Sequence, residues 1–491
     1  MKKLNLIIFL ILFLPLLAGA NPAPQFEAYF HDQTLRIDYY HIGDAQSELI
    51  TLDRVYRYGT WAGSITNLVY PFNQGGYFVK IYDAASGNLI FSKGFDSYFG
   101  EYKTTSPAAE GVKRTYHESA LIPCPKSKII FALERRKKDQ QLEEIFRAEI
   151  DPEDLGVIRD AVKDRSVKVI KSLESGAPHV KVDVAILGEG YTAAEESKFR
   201  SDLKRFTEVL FKPEPYASHK EKFNVYGVFK PSEESGVDEP GHLSYKNTVL
   251  SATFNSLGSE RYLLTEDNKA LRDLAAHAPY DALYIMVNHE RYGGGGIYNL
   301  FCTFTADNTW QEYLFIHEFG HSFAGLADEY YTSSVAYNEF YPRGSEPLEP
   351  NITALLDPAS LKWKHLLSPK IKLPTPWEKA AYDASDLAWQ QKRRELNERI
   401  AELKRSGGAP AEIAKLQEEY NARDLDQTVK NYEYLKKSKS WGKVGAFEGA
   451  GYASTGLYRP MLNCIMFSKS PLSFCKVCEE AIGKVIRYYS E

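Results

Sequence analysis

The run Tyr313-Leu314-Phe315-Ile316-His317-Glu318-Phe319-Gly320-His321-Ser322-Phe323 sets two histidines four residues apart inside apolar bulk. Residues at that spacing share one face of a helix. The apolar neighbours predict a buried helix, with Thr309 as its opening residue. Two imidazoles so placed can grip one metal ion. Neutral imidazole suits Zn²⁺, which takes three protein ligands plus water at catalytic sites. Glu318, beside the first ligand, is placed to take a proton from that water and hand it to a leaving amine. The pattern arises by chance in about one or two of a hundred such chains. The bland alternative is a helix with two surface histidines, and the apolar flanks oppose it.

A third ligand is needed. Zinc peptidases of the metzincin type use His-Glu-x-x-His-x-x-Gly-x-x-His or Asp, where the glycine lets the chain turn back to the metal. Here the glycine position holds Ala324, and Gly325 comes one residue late. Three residues beyond Gly325 is Asp328. Glu329 is the adjacent competitor, and a distant Glu of the thermolysin type is a third possibility.

Around this core the chain divides by pattern. Residues 1–20 read as a signal peptide: Lys2-Lys3, the apolar run Leu4 to Leu17, then Ala18-Gly19-Ala20. No cysteine follows the cleavage site, so no lipid anchor is expected. Residues 21–150 hold short strand-like runs with Gly/Asn/Asp/Ser turns, an all-β sandwich-like domain. Residues 151–178 read as a charged linker. From 179 to 491 strands alternate with a helix. Val180 to Leu187 is a strand, Thr192-Ala-Ala-Glu195 has capping-box spacing, and Phe199, Leu203, Phe206, Val209 and Leu210 follow at helical period. Strands at 223–229 and 282–288 complete a mixed α/β catalytic domain. Residues 385–438 carry two apolar stripes around Ser406-Gly407-Gly408-Ala409-Pro410. They read as an inserted helical hairpin, a solvated spacer or lid. Gly293 to Gly296 opens no helix and is no nucleotide loop. It reads as a flexible stretch near the cleft, and the strand 300–304 after it as a partner for an extended peptide.

Composition narrows the class. The chain has 491 residues, 44% hydrophobic and 25% charged, with a formal charge of −5. Those proportions are ordinary for a globular protein. Loss of Lys2 and Lys3 with the signal peptide makes the rest more acidic, which argues against nucleic acid. No second apolar run would cross a membrane, so the mature chain is expected to hold no integral segment. Of the 5 cysteines, Cys124 stands apart, and Cys302, Cys464, Cys475 and Cys478 fall in the catalytic region. An exported chain can form bridges, with the pairing open. Cys475-x-x-Cys478 is half a zinc knuckle lacking a second pair, so a structural or unpaired role is favoured.

The segment from His317 to Tyr330 resembles the M64 peptidase family, named for bacterial IgA peptidases. The resemblance extends to Leu187-Gly188-Glu189-Gly190-Tyr191-Thr192, Tyr458-Arg459-Pro460 and Cys464-Ile465-Met466, and covers roughly 180–490. It implies a zinc endopeptidase related to metzincins, secreted by a bacterium, with an accessory domain in front. Metzincin-like enzymes carry a methionine turn beneath the metal. Met466 matches that place, with Met461 the alternative, and Tyr458 stands as a transition-state donor or extra ligand. The expectation is a secreted or periplasmic Zn²⁺-dependent endopeptidase acting on a protein or peptide. Its ligands are His317, His321 and Asp328, with Glu318 as base. The rivals are a surface or periplasmic binding protein with a degenerate metal site, and a zinc amidase acting on cell-wall peptides.

Overall fold

The structure is a computed structural model describing residues 24–159, 164–332, 341, 342, 344–469 and 472–491. The signal peptide expected at 1–20 lies outside the described residues. Among them no helix is long and apolar enough to cross a membrane.

The N-terminal part is β-rich. Its strands are β1 (Phe30–Gly43), β2 (Glu48–Tyr58), β3 (Tyr77–Asp83), β4 (Leu89–Phe95), β5 (Arg114–Pro125), β6 (Ile129–Arg136) and β7 (Leu142–Ile150). They form two antiparallel sheets, ordered β2-β1-β5 and β4-β3-β6-β7. Leu35, Ile37, Ile81, Ile122 and Phe131 share the core between them. Strand side chains alternate between faces, so Arg36 and Asp38 point the other way, yet they are buried too. Arg36 pairs with Asp38 at 2.7 Å and with Asp273 of the next region at 2.8 Å. That second face of β1 therefore docks on the rest of the chain instead of meeting water.

The second region is mixed α/β. A six-stranded sheet runs β12-β13-β11-β9-β10-β8. Its members are β8 (Lys168–Leu173), β9 (Val182–Glu189), β10 (Phe223–Phe229), β11 (Ala282–Val287), β12 (Gly294–Ile297) and β13 (Phe301–Thr305). The four central strands are parallel, and β8 and β12 are antiparallel edges. Strands β9 and β10 are buried along their whole length, because parallel sheets are covered on both faces. The helices Glu196–Leu210, Gln311–Ala324 and Lys476–Ser490 cover one face with Phe199, Phe206, Phe315, Phe319 and Ile482. The helix Asn268–Ala275 covers the other, joined by Tyr77, Phe99 and Tyr116 from the β-rich part. The capping box of Thr192 and Glu195 opens the first of these helices through a short 3-10 turn.

Two expectations need correction. Strand β13 lies between β11 and β12 with both edges bonded, so no peptide strand can pair with it. The glycine run forms edge strand β12, and even there Gly294 bonds to the backbone of Arg261 and Leu263. Glycine is needed for close approach: a Cβ on Gly296 would sit 2.4 Å from the carbonyl oxygen of Glu318. The strand is therefore the floor on which the helix carrying Glu318 lies.

Two long helices, Lys379–Arg405 and Pro410–Lys436, fold back on each other at the Gly407 turn. Near the C-terminus, β14 (Phe447–Ala450) and β15 (Ala453–Arg459) make a small hairpin with Tyr452 in its turn.

Candidate metal centre and cleft

The helix Gln311–Ala324 (the histidine helix below) is held at its start by Asn308, whose side chain accepts from the Trp310 N–H at 2.8 Å. Thr309 makes no such cap. The helix ends at Gly325, in the left-handed region at φ 58°. Gly325 N–H donates to His321 C=O at 3.0 Å and Leu326 N–H to Gly320 C=O at 3.1 Å. The first of these is the bond of an αL ending, whose left-handed residue suits a glycine. The chain then turns back across the helix.

That return brings Asp328 to the histidines. Its Oδ1 lies 3.1 Å from His317 Nε2 and 3.3 Å from His321 Nε2, and the two Nε2 atoms are 3.1 Å apart. Both rings are oriented from behind. His317 Nδ1 donates to Ile465 C=O at 3.0 Å and His321 Nδ1 to Leu326 C=O at 2.6 Å. With each Nδ1 so committed, each ring turns its Nε2 toward Asp328. Asp328 Oδ1 is buried with no hydrogen-bond partner. Its other oxygen accepts from Tyr452 O–H. Three converging ligand-type atoms form a place for a cation. Asp328 draws positive charge there: burial opposes charge on His321, but Asp328 outweighs it and lifts the ring's pKa to about 9, so a metal ion at this place competes with a proton. Burial likewise opposes charge on Asp328, yet the two histidines hold it well below the usual carboxylate range.

Glu318 is half-buried beside them and lines the cleft. Burial raises its pKa against the pull of His317 and His321. Glu329 points elsewhere: it is fully buried and its Oε1 accepts from Asn351 at 3.1 Å. Met466 lies under the helix, where a Cβ added to Gly320 would be 2.8 Å from its sulfur. Met461 is only partly buried at the edge of the same core. Tyr458 does not line the cleft. It sits on β15 opposite Glu448, its backbone paired with Thr353. The phenols that do line the cleft include Tyr292, Tyr313, Tyr330 and Tyr452.

Two positioning residues escaped the sequence reading. Tyr452 holds Asp328 from 124 residues away. Asn351 accepts from Ala327 N–H and donates to Ala327 C=O, both at 2.8 Å, bracing the return loop like a strand partner. An Asn-Ile-Thr tripeptide carries no local mark of such a task.

The cleft has a volume of about 280 Å³ and draws on the whole chain. Trp389, Arg393 and Asp424 of the long helical hairpin form part of its wall, so the hairpin is more than a solvated spacer. Asp424 accepts from Trp310 Nε1 at 2.7 Å, joining the hairpin to the start of the histidine helix. Asp96 and Glu101 of the β-rich part reach the cleft as well, and Tyr262 O–H donates to Glu101 at 3.1 Å.

No curated protein matches it significantly. Residues 25–147 match the model described as Peptidase M64 N-terminus, and residues 170–486 match that of IgA Peptidase M64. With the match covering both the strand-built front and the region of the two histidines, this chain belongs to the IgA peptidase M64 family, and is a peptidase.

Proposed function

We propose that this peptidase is an exported, zinc-dependent endopeptidase with a metzincin-like centre, using His317, His321 and Asp328 as ligands and Glu318 as general base and acid. The observation that carries the reading is the triangle of two Nε2 atoms and one orphaned carboxylate oxygen, 3.1–3.3 Å on a side. Tetrahedral zinc with N and O ligands at about 2.0–2.1 Å has ligand-to-ligand edges of about 3.3 Å. Bound there, zinc supplies a Lewis acid that polarises a carbonyl and acidifies water.

The chain's own residues do the rest. The Ile465 and Leu326 carbonyls fix both imidazoles in one tautomer. Tyr452 fixes the carboxylate of Asp328. Such outer partners orient ligands and raise their basicity. Glu318, its pKa raised by burial, accepts a proton at its carboxylate and returns it to the departing amine. Met466 packs beneath as the methionine turn, and Gly325 lets the third ligand return one residue later than in the common spacing. Residues 1–20 direct export to the periplasm or beyond. The substrate is a protein or peptide, and the family's name does not transmit specificity for immunoglobulin A.

The test is peptide-library cleavage by the purified chain, before and after a chelator and with Zn²⁺ restored. Loss and recovery of cleavage are expected. A chain that binds a divalent ion at no site and cleaves no peptide would instead be a binding protein. Cleavage confined to cell-wall peptides would make it the amidase.

A further inference from the structure

Behind the histidine site a second set of ligand-type side chains converges. Glu329, Cys464, Cys475 and Cys478 are all buried, and their sulfur and carboxylate atoms lie within 4.8 Å of one another. Cys478 Sγ is 3.5 Å from Cys475 Sγ and 3.8 Å from Cys464 Sγ. Glu329 Oε1 is 3.3 Å from Cys478 Sγ and 3.7 Å from Cys475 Sγ. No two sulfurs are bonded, since a disulfide closes to about 2.05 Å. A tetrahedral zinc with sulfur at about 2.3 Å and oxygen at about 2.0 Å has S–S edges of about 3.8 Å and S–O edges of about 3.5 Å. The observed separations follow that figure.

Independent features point the same way. The second carboxylate oxygen of Glu329 is buried with no hydrogen-bond partner. Among the described residues Glu329 has no ion pair within 4.0 Å, Arg459 acting on it only from farther off, and a buried carboxylate without a close partner is costly. Cys475 N–H donates to Cys464 Sγ at 3.2 Å, as suits a thiolate. Cys475 and Cys478 open the C-terminal helix Lys476–Ser490, where the helix dipole favours negative sulfur. The CxxC pair, which lacked a partner pair in the sequence, finds its other two donors here.

We infer that Glu329, Cys464, Cys475 and Cys478 hold a second, structural Zn²⁺ in a closed Cys₃Glu site. Four protein donors fill a tetrahedron, and none of them lines the cleft, so no position is left for substrate. Thiolates select zinc over the hard cations. The ion staples three segments around the first site: Glu329 follows Asp328, Cys464 precedes Ile465 and Met466, and the C-terminal helix packs on the histidine helix through Tyr489 and Phe323. This inference does not depend on the histidine site being catalytic.

The experiment is metal analysis of the purified chain together with cobalt substitution. Wild type is expected to hold two zinc ions, and His317→Ala/His321→Ala one. Cobalt-loaded wild type and that variant should both show thiolate-to-cobalt charge-transfer absorption, which nitrogen and oxygen donors cannot give. A wild type that holds a single ion and shows this band would sink the proposed function alone. A wild type without the band, or an intact mass showing two of the three thiols joined as a disulfide, would overturn the second site.

Discussion

The backbone N–H of Glu329 donates to the carbonyl of Met466 at 2.8 Å. One residue earlier on each side, Asp328 meets the histidines and Ile465 accepts from His317. The loop that returns from the histidine helix and the segment beneath that helix are thus held in register by one bond. Both flanks of the candidate centre depend on that register.

Glu318→Gln should lower peptide hydrolysis by about 10²–10⁴-fold, the usual span of general acid–base catalysis, while metal content stays unchanged. Turnover measured beside metal analysis checks it. Cleavage at the wild-type rate would remove Glu318 from the reaction.

Asp328→Ala should empty the histidine site. Tyr452→Phe, which removes only the hydrogen bond to Asp328, should weaken metal affinity about 10–100-fold. Competition with a chelator of known affinity reads both. Full affinity in Asp328→Ala would return the third ligand to the other acidic candidates.

Gly320→Ala places a methyl 2.8 Å from the Met466 sulfur. Overpacking of this kind costs about 1–3 kcal/mol. Met466→Leu keeps volume and should cost less than about 1.5 kcal/mol. Denaturant unfolding of the two variants separates them, and equal stability would place Met466 away from the helix.

His41 sits between Glu48 and Glu118 at 2.9 and 3.0 Å and stacks on Phe99. Burial opposes its charge, but the two carboxylates win and raise its pKa above the ordinary value. A raised folded pKa means stability that is complete below the unfolded value of about 6.5 and lost as pH climbs through the folded one. His41→Gln should therefore destabilise more at about pH 6 than at about pH 10. Melting curves of both proteins across that range test it, and a pH-independent difference would contradict the charged pair.

Short-range features were legible in the chain alone. His317, Glu318 and His321 are related by one helical turn, and Gly325 and Asp328 by a tight turn after it, so spacing alone points them to one place. Strand alternation and capping at Thr192 are local in the same sense. Contacts between distant segments were settled by packing. Asp328 was separated from Glu329 by which side of the returning loop each occupies. Tyr452, not Tyr458, reached the centre because the β14–β15 turn aims it there. Asp96, Glu101 and Trp389 became cleft residues through docking of the β-rich part and the hairpin. Cys464 met Cys475 and Cys478 beside Glu329, 146 to 149 residues from that carboxylate along the chain for the latter two. Local spacing is written in the covalent chain. Which remote side chains share a buried volume is set by how sheets and helices cover one another's apolar faces, and no stretch of sequence carries that alone.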